Sequence, residues 1–471
     1  MLCSSPKELI QTKGHPTNWE KTYDIGTESM TTTHRIGPLF TDLYELTMAA
    51  AYYQKSMEGH ATFSLFVRKS AARNFYVAAG LETVLDELTC FGFSDGEIAY
   101  LKDTGLFSDK FLSFLKTLRF SGNIFAMPEG AIFFPDEPVL EVTAPIIEAQ
   151  IVETFLLNTI GSQSLFASKG ARCVHAAGGR SLVDFSLRRT QGQDAGLNVA
   201  RSAYISGFAG TSNLLAGQRY GIPVSGTMAH SYISAFEREI DAFRAYAAIF
   251  PEHSVFLIDT YDTVEGAYKA VRVGLEMRKQ GRSLKGVRLD SGDMIDLSQR
   301  VRKIFDKAGL CDVKIYASSG FDEFMIHELL ANGARIDAFG VGTKMGASAD
   351  APYLDVVYKL VKMNDRLVRK LSPGKKTLAG EKQVFRKYDA RGHFTEDIIG
   401  LRNETIDGAT PLLSAVMNQG KRVGISPALT DIQSCFKSNF STLPDKYKSI
   451  HKRHRYPVKL SDQLVLAQKD I

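Results

Sequence analysis

Residues 254–290 read SVFLIDTYDTVEGAYKAVRVGLEMRKQGRSLKGVRLD. A β-rich run ends in Asp259, an amphipathic segment (264–281) follows with apolar residues three and four apart, and a second run, GVRLD, ends in Asp290. Strand, helix and strand in that order imply a right-handed crossover and parallel pairing. The same unit recurs from about Ala171 to Gly342, in the runs SLVDFSL (181–187), IPVSGT (222–227), VKIYAS (313–318) and IDAFGVG (336–342). Their C-terminal ends carry Asp184, Thr227, Asp259, Asp290, Ser318 with Ser319, and Gly340 with Gly342. Chemistry collected at one end of successive strands is how an α/β barrel builds its site. A doubly wound open sheet shows the same alternation, but no GxGxxG follows the first strand, which weighs against a dinucleotide fold.

Outside this block the pattern changes. Residues 35–150 mix a helical segment, FTDLYELTMAAAYYQ (40–54), with alternating runs, ATFSLFVRK (61–69) and VLEVTAP (139–145). Beyond 370, KQVFRKYDARGHFTEDIIGL (382–401) reads as a hairpin turning at Arg391-Gly392. At 471 residues the chain exceeds a single core. The expectation is an α/β barrel over 151–365 carrying the site, and a smaller α+β domain built from both chain ends, 35–150 and 366–471. Residues 1–34 read as a flexible N-terminal extension, and Met30 as a second start.

Composition excludes several classes. Apolar residues make up 44% and charged residues 23%, as in soluble globular proteins, and no run approaches the ~20 apolar residues of a membrane span. A net charge of +5 is mild, and the cluster Lys446, Lys448, Lys452, Arg453, Arg455 reads as a solvated face rather than a nucleic-acid patch. Five scattered cysteines without a CxxC pair argue for reduced thiols and a cytoplasmic protein, against zinc or a disulfide framework. The N-terminus has no apolar or Arg-rich targeting pattern.

Several segments could carry chemistry. SGTMAHS (225–231) places His230 after a Gly-Thr turn at the head of a helix, where an anion is received and an imidazole can be phosphorylated. A histidine there is more often a capping or packing residue. VRLDSGD (287–293) sets Arg288 and Asp290 on one strand face, so a guanidinium and a carboxylate converge on one ligand or on each other. YASSGFDE (316–323) and GVGTK (340–344) are glycine-containing strand-to-helix turns suited to a sugar phosphate, through Ser319, Gly320, Gly342 and Thr343. Asp259 could hold ribose hydroxyls or magnesium, with Asp262 as an N-cap. DFSLRRTQGQDAG (184–196) offers the ring of Phe185 and the cation Arg188 to a flat anion, and Tyr44 is a candidate second ring.

Taken in order, TDLYELTM (41–48), DFSLRRTQGQDAG, FAGTSNLLAG (208–217), YGIPVSGTMAHS, IDTYDT, VRLDSGD, the SSG turn, GVGT and SPGKKTLAGEKQVFR (372–386) resemble nicotinate phosphoribosyltransferase. The resemblance runs from about Gly37 to YPVKLSDQL (456–464). It implies the type II phosphoribosyltransferase fold, an irregular α/β barrel with a smaller domain, acting as a homodimer with shared active sites. It also implies an ATP-dependent, ligase-type enzyme of NAD biosynthesis that uses magnesium. By that resemblance His230 is the histidine phosphorylated by ATP, Arg288 and Thr227 hold nicotinate, and Phe185 and a partner-contributed Tyr44 sandwich its ring. Ser319, Gly320, Gly342 and Thr343 correspond to the sugar-phosphate site, and Arg288, Asp290 and magnesium orient and neutralise the reacting charges. The magnesium ligands are not assigned.

Nicotinamide phosphoribosyltransferase carries an aspartate in the run resembling FAGTSN, where Ser212 stands here. A carboxylate would repel nicotinate and a serine does not, so the acid is the expected substrate and the amide the alternative. A phosphosugar isomerase or lyase, and a nucleotide-binding paralogue without turnover, are the other readings. Neither a nucleic acid nor a membrane is an expected partner.

Overall fold

The stretch 254–290 forms the strand Val255–Leu257, the helix Thr263–Lys279 and the strand Gly286–Leu289, the two strands pairing in parallel with Leu257 opposite Arg288. Asp262 caps the helix by accepting the Glu265 N–H at 2.8 Å. Gly266 lets the helix lie on the end of the preceding strand, since a Cβ there would stand 2.1 Å from the Ile258 carbonyl oxygen. The computed structural model describes residues 36–68, 73–372 and 377–469. The extension expected over 1–34 and the start at Met30 lie outside the described residues.

Six short strands form one parallel sheet in the order Gly210–Thr211, Ser181–Asp184, Ala338–Val341, Lys314–Ser318, Gly286–Leu289, Val255–Leu257. With the intervening helices they make an irregular α/β barrel around a core that includes Phe243, Phe256, Val287, Leu289, Ile315, Phe339 and Val341. The run IPVSGT, read as a strand, is not one: it contributes a single parallel bridge, Val224 to Thr211. Pro223 has no N–H to donate, and only its carbonyl joins, accepting from Thr211 N at 3.0 Å.

The other large sheet has seven strands: Arg366–Leu367, Val356–Met363, His60–Val67, Pro138–Pro145, Asn123–Ala126, Ser414–Asn418, Lys421–Arg422. Every neighbouring pair is antiparallel. Its strands come from both sides of the barrel segment, and Val356–Met363 pairs with His60–Val67 although it precedes position 365. A four-stranded sheet holds the hairpin Lys382–Tyr388 and Phe394–Leu401, with Asp389 accepting from the Arg391 and His393 N–H groups in the turn. No helix among the described residues is long and apolar enough to cross a membrane. The four described cysteines are free.

The 24-residue helix Glu153–Ala176 packs into the barrel core and into a second core that includes Phe63, Leu65 and Val142 of the seven-stranded sheet, and its two ends are fixed by different polar devices. At its start, Glu45 of the helix Leu43–Gln54 accepts from Thr154 N at 2.9 Å and Thr154 Oγ1 at 2.5 Å, and Thr41 also donates to it. Further along, the buried Lys169 and Arg172 grip Glu323 at 2.5 and 2.7 Å, and Lys169 and Arg73 reach Asp350 at 2.9 Å. Burial pushes the Asp350 carboxyl up, but Arg73 and Lys169 outweigh it and hold the group below its ordinary range.

Burial lifts Glu45 to about 7, from 4.5. A carboxyl raised in the folded state contributes stability that is complete below the unfolded pKa and is lost as pH rises through the folded one. Wild type is therefore expected to lose more stability than Glu45→Gln between about pH 4.5 and 7. Denaturant melts of both proteins across that window check it; parallel profiles would remove the assignment.

Candidate functional site

Several of the residues singled out from sequence lie where the parallel strands end. Asp184 ends Ser181–Asp184 and Phe185 follows it, Asp259 follows Val255–Leu257, Asp290 follows Gly286–Leu289, Ser318 ends Lys314–Ser318, and Gly342 follows Ala338–Val341. Successive loops at one barrel end thus carry the cluster.

Arg288 and Thr227 are in direct contact, the guanidinium Nη1 donating to Thr227 Oγ1. The Nε of Arg288 is buried and has no protein partner. Burial lowers the guanidinium below its ordinary range, and Arg188 adds to the lowering while Asp290 and Asp259 oppose it. Arg188 itself is exposed, on the 3-10 turn Leu187–Arg189.

His230 bridges two loops. Its Nδ1 is 3.1 Å from Thr260 Oγ1, and its Nε2 is 3.6 Å from Asp290 Oδ2. Asp290 Oδ1 accepts from Ser318 Oγ at 2.5 Å, so the carboxylate is held from the next strand. The patterned helix expected after His230 is only five residues long, His230–Ser234, with no side-chain cap. The chain breaks at Ala235–Arg238 before the helix Glu239–Ile249, so the histidine is placed by Thr260 and Asp290 rather than by a long helix dipole.

Asp259 holds the following loop in place. Its Oδ2 accepts from Asp290 N at 2.7 Å and Ser291 Oγ at 2.8 Å, while Oδ1 is buried without a hydrogen-bond partner. A buried, unpaired carboxylate oxygen is costly unless something binds it. Asp184 is spent structurally, accepting from Ser186 N and Thr211 Oγ1.

Phe185 lies over Gly340: a Cβ on that glycine would stand 2.5 Å from two ring carbons. Its backbone N–H extends the ladder by donating to Val341 O at 2.8 Å. Ser319, Gly320 and Thr343 are exposed at their turns and Gly342 is half-buried. The two turns are tied together by Lys344 Nζ to Asp322 Oδ2 at 3.0 Å, with Asp322 capping the helix Glu323–Ala331.

Tyr44 is not part of this constellation. It is 46% exposed on the helix Leu43–Gln54, and among the described residues no hydrogen bond or ion pair joins it to the barrel-end cluster. Burial, with Glu153 and Glu45 nearby, pushes its hydroxyl above the ordinary range. A cavity of about 600 Å³ is lined by none of the site residues named from sequence; Arg453 and Arg455, read as part of a solvated face, help to line it beside Phe134 and Tyr456. Sequence reasoning missed Thr260 and Lys344. The available signal was position: each directly follows a strand-end residue or turn already singled out.

Comparisons with known proteins agree with one another. Three family models match: the nicotinate phosphoribosyltransferase N-terminal domain over 39–161, the nicotinate phosphoribosyltransferase family over 180–388, and its C-terminal domain over 407–468. A nicotinate phosphoribosyltransferase of Mycobacterium tuberculosis is 46% identical, covering 91% of this chain and 93% of that protein. One from Bacillus subtilis is 39% identical, over 90% and 93%. The crystal structure of human nicotinic acid phosphoribosyltransferase superposes with a TM-score of 0.82 at 28% identity, covering 92% of this chain and 99% of that one.

Proposed function

The chain belongs to the nicotinate phosphoribosyltransferase family, and from that premise we propose that it joins nicotinate to phosphoribosyl pyrophosphate, releasing pyrophosphate, with ATP hydrolysis coupled through a phosphohistidine at His230. The product, nicotinate mononucleotide, places the reaction in NAD biosynthesis. The observation that carries the reading is the barrel-end cluster of Thr227, Arg288, Asp290 and His230, with the Phe185 ring laid over Gly340.

Each residue has work that its surroundings support. Arg288, whose buried Nε has no protein partner, pairs with the carboxylate of nicotinate, and Thr227 aligns it. Phe185 stacks on the pyridine ring and fixes it for in-line attack of the ring nitrogen on C1 of the ribose. Arg188 adds positive charge on the exposed side. The turns carrying Ser319, Gly320, Gly342 and Thr343 receive the sugar phosphate. Tyr44, exposed and outside the cluster's hydrogen bonds, serves the site of a partner subunit in a homodimer.

Magnesium fits the donor set here. Asp259 Oδ1, buried and unpaired, and the neighbouring Asp290 carboxylate are hard oxygen donors of the kind that hold this ion together with phosphate oxygens. Bound there, the ion supplies charge neutralisation for the leaving pyrophosphate. Ser212, whose N–H donates to Asp184 O at 2.8 Å, leaves the acid substrate unopposed by a carboxylate.

The direct experiment measures nicotinate mononucleotide formation from nicotinate and phosphoribosyl pyrophosphate with magnesium, with and without ATP, and nicotinamide in parallel. Product from nicotinate alone, stimulated by ATP, is expected. Preference for nicotinamide overturns the substrate assignment, and no product from either removes the catalytic one. His230→Ala is expected to lose the ATP stimulation, so that equal stimulation in the variant removes the phosphohistidine. Gly340→Ala is expected to raise the KM for nicotinate about two- to tenfold by displacing the Phe185 ring, the usual worth of an aromatic contact. The KM for phosphoribosyl pyrophosphate should move less; an unchanged nicotinate KM would take Phe185 out of the pocket.

A further inference from the structure

We propose that Lys344 is the side-chain cation of the sugar-phosphate site, paired with Asp322 in the free protein and drawn onto the 5-phosphate of the sugar when it binds. The inference rests on the reading of the SSG and GVGT turns given above. These turns leave neighbouring strands: Lys314–Ser318 and Ala338–Val341 pair in parallel with Ser318 opposite Gly340, so Ser319 and Gly320 emerge beside Gly342 and Thr343. Those four residues supply hydroxyls and backbone N–H groups, which are neutral donors. A phosphate monoester carries about 1.5 to 2 negative charges at neutral pH. Across YASSGFDE (316–323) and GVGTK (340–344) the charged residues are Asp322, Glu323 and Lys344. Glu323 is spent on Lys169 and Arg172, at 2.5 and 2.7 Å. Without Lys344 the turns would meet the phosphate with neutral donors and an aspartate.

The attachment of Lys344 suits exchange. Its Nζ lies 3.0 Å from Asp322 Oδ2 and 3.4 Å from Met325 Sδ, and its side chain is 40% exposed. A thioether is a weak acceptor, and a partly exposed pair of ammonium and carboxylate contributes little net stability. A phosphate oxygen is a stronger partner for the same ammonium. Asp322, for its part, does not depend on the lysine. Its Oδ1 accepts the Met325 N–H at 2.9 Å as the cap of the helix Glu323–Ala331. Burial pushes its carboxyl up, but the Met325 N–H and Lys344 outweigh it, with Lys169 adding to them, and hold the group below its ordinary range. The cap and the Lys169 charge remain when Lys344 leaves.

The two side chains therefore act on the ligand in opposite directions. Lys344 attracts the phosphate, whereas Asp322 competes for the ammonium and repels the incoming charge. A bracing role, in which the ion pair only holds the turns together, would make the two residues equivalent. Asp322→Asn separates these cases, because asparagine is as good a helix cap and carries no charge.

The test is calorimetry of the full-length protein with ribose 5-phosphate, which has the 5-phosphate and no pyrophosphate, and in parallel with inorganic pyrophosphate and magnesium. Lys344→Gln is expected to weaken ribose 5-phosphate about five- to twentyfold, the worth of a charge-assisted hydrogen bond at a partly exposed site, and to leave pyrophosphate binding unchanged. Asp322→Asn is expected to bind ribose 5-phosphate at least as tightly as wild type. Weakening in Asp322→Asn as well assigns the pair to bracing and overturns the proposal, as does Lys344→Gln with wild-type affinity or with a loss confined to pyrophosphate. In the reaction, Lys344→Gln should raise the KM for phosphoribosyl pyrophosphate and not that for nicotinate. Absence of ribose 5-phosphate binding by wild type overturns the sugar-phosphate site, and Lys344 with it. Binding with the expected variant pattern but no formation of nicotinate mononucleotide removes the catalytic reading alone.

Discussion

Arg288→Ala is expected to lower kcat/KM for nicotinate by about a hundred- to a thousandfold, with the fold intact. A largely buried guanidinium that meets a substrate carboxylate is worth about 2–5 kcal/mol when truncated, much of it the penalty of leaving the opposing charge unpaired. Here the side chain already gives one donor to Thr227 and keeps its Nε free of protein partners. Arg288→Lys should recover little, because an ammonium cannot reproduce the planar fork. Steady-state kinetics with varied nicotinate, alongside thermal melts of each variant, separates the effect from misfolding. A loss under tenfold would move the carboxylate to another residue.

Glu323→Ala is expected to cost about 3–5 kcal/mol of stability, the usual result of removing one partner from a buried ion pair. Glu323 is fully buried between Lys169 and Arg172, which would be left with Asp350, 2.9 and 3.8 Å away. The residue opens the helix that follows the SSG turn, so the same change should also weaken sugar-phosphate binding. Denaturant unfolding measures the first effect, and the KM for phosphoribosyl pyrophosphate the second. A midpoint unchanged from wild type would show the two cations to be satisfied without it.

The barrel was legible because its units are local. Val255–Leu257, Thr263–Lys279 and Gly286–Leu289 follow from apolar runs, an amphipathic period and an Asp cap within 40 residues, and the polar strand ends mark one face. IPVSGT was misread because its β-rich composition outweighed Pro223, which cannot donate to a ladder. The end of the short helix after His230 was hidden for a related reason, since apolar spacing runs on through the break at 235–238. What sequence could not supply was long-range pairing of charge. Nothing near Lys169 announces Glu323, 154 positions away, and nothing near Arg73 announces Asp350, 277 positions away. Tyr44 stands out as a motif residue, yet its surroundings in the chain are Glu45 and Glu153 rather than the cluster. The partner of His230 Nδ1 was hidden because a threonine after a strand-end aspartate looks like any turn residue.

The seven-stranded sheet sets a timetable for the ribosome. His60–Val67 emerges early and finds Pro138–Pro145 within about 80 residues, but its other neighbour is Val356–Met363, with Ala61 opposite Met363. Until that strand appears, one edge of a nascent apolar hairpin stays open, while the barrel units between 181 and 342 can close in turn as each is made. Translation therefore completes the second-made part of the molecule first. The exposed edge waits for it, which makes this stretch of synthesis the interval in which a chaperone has most to protect.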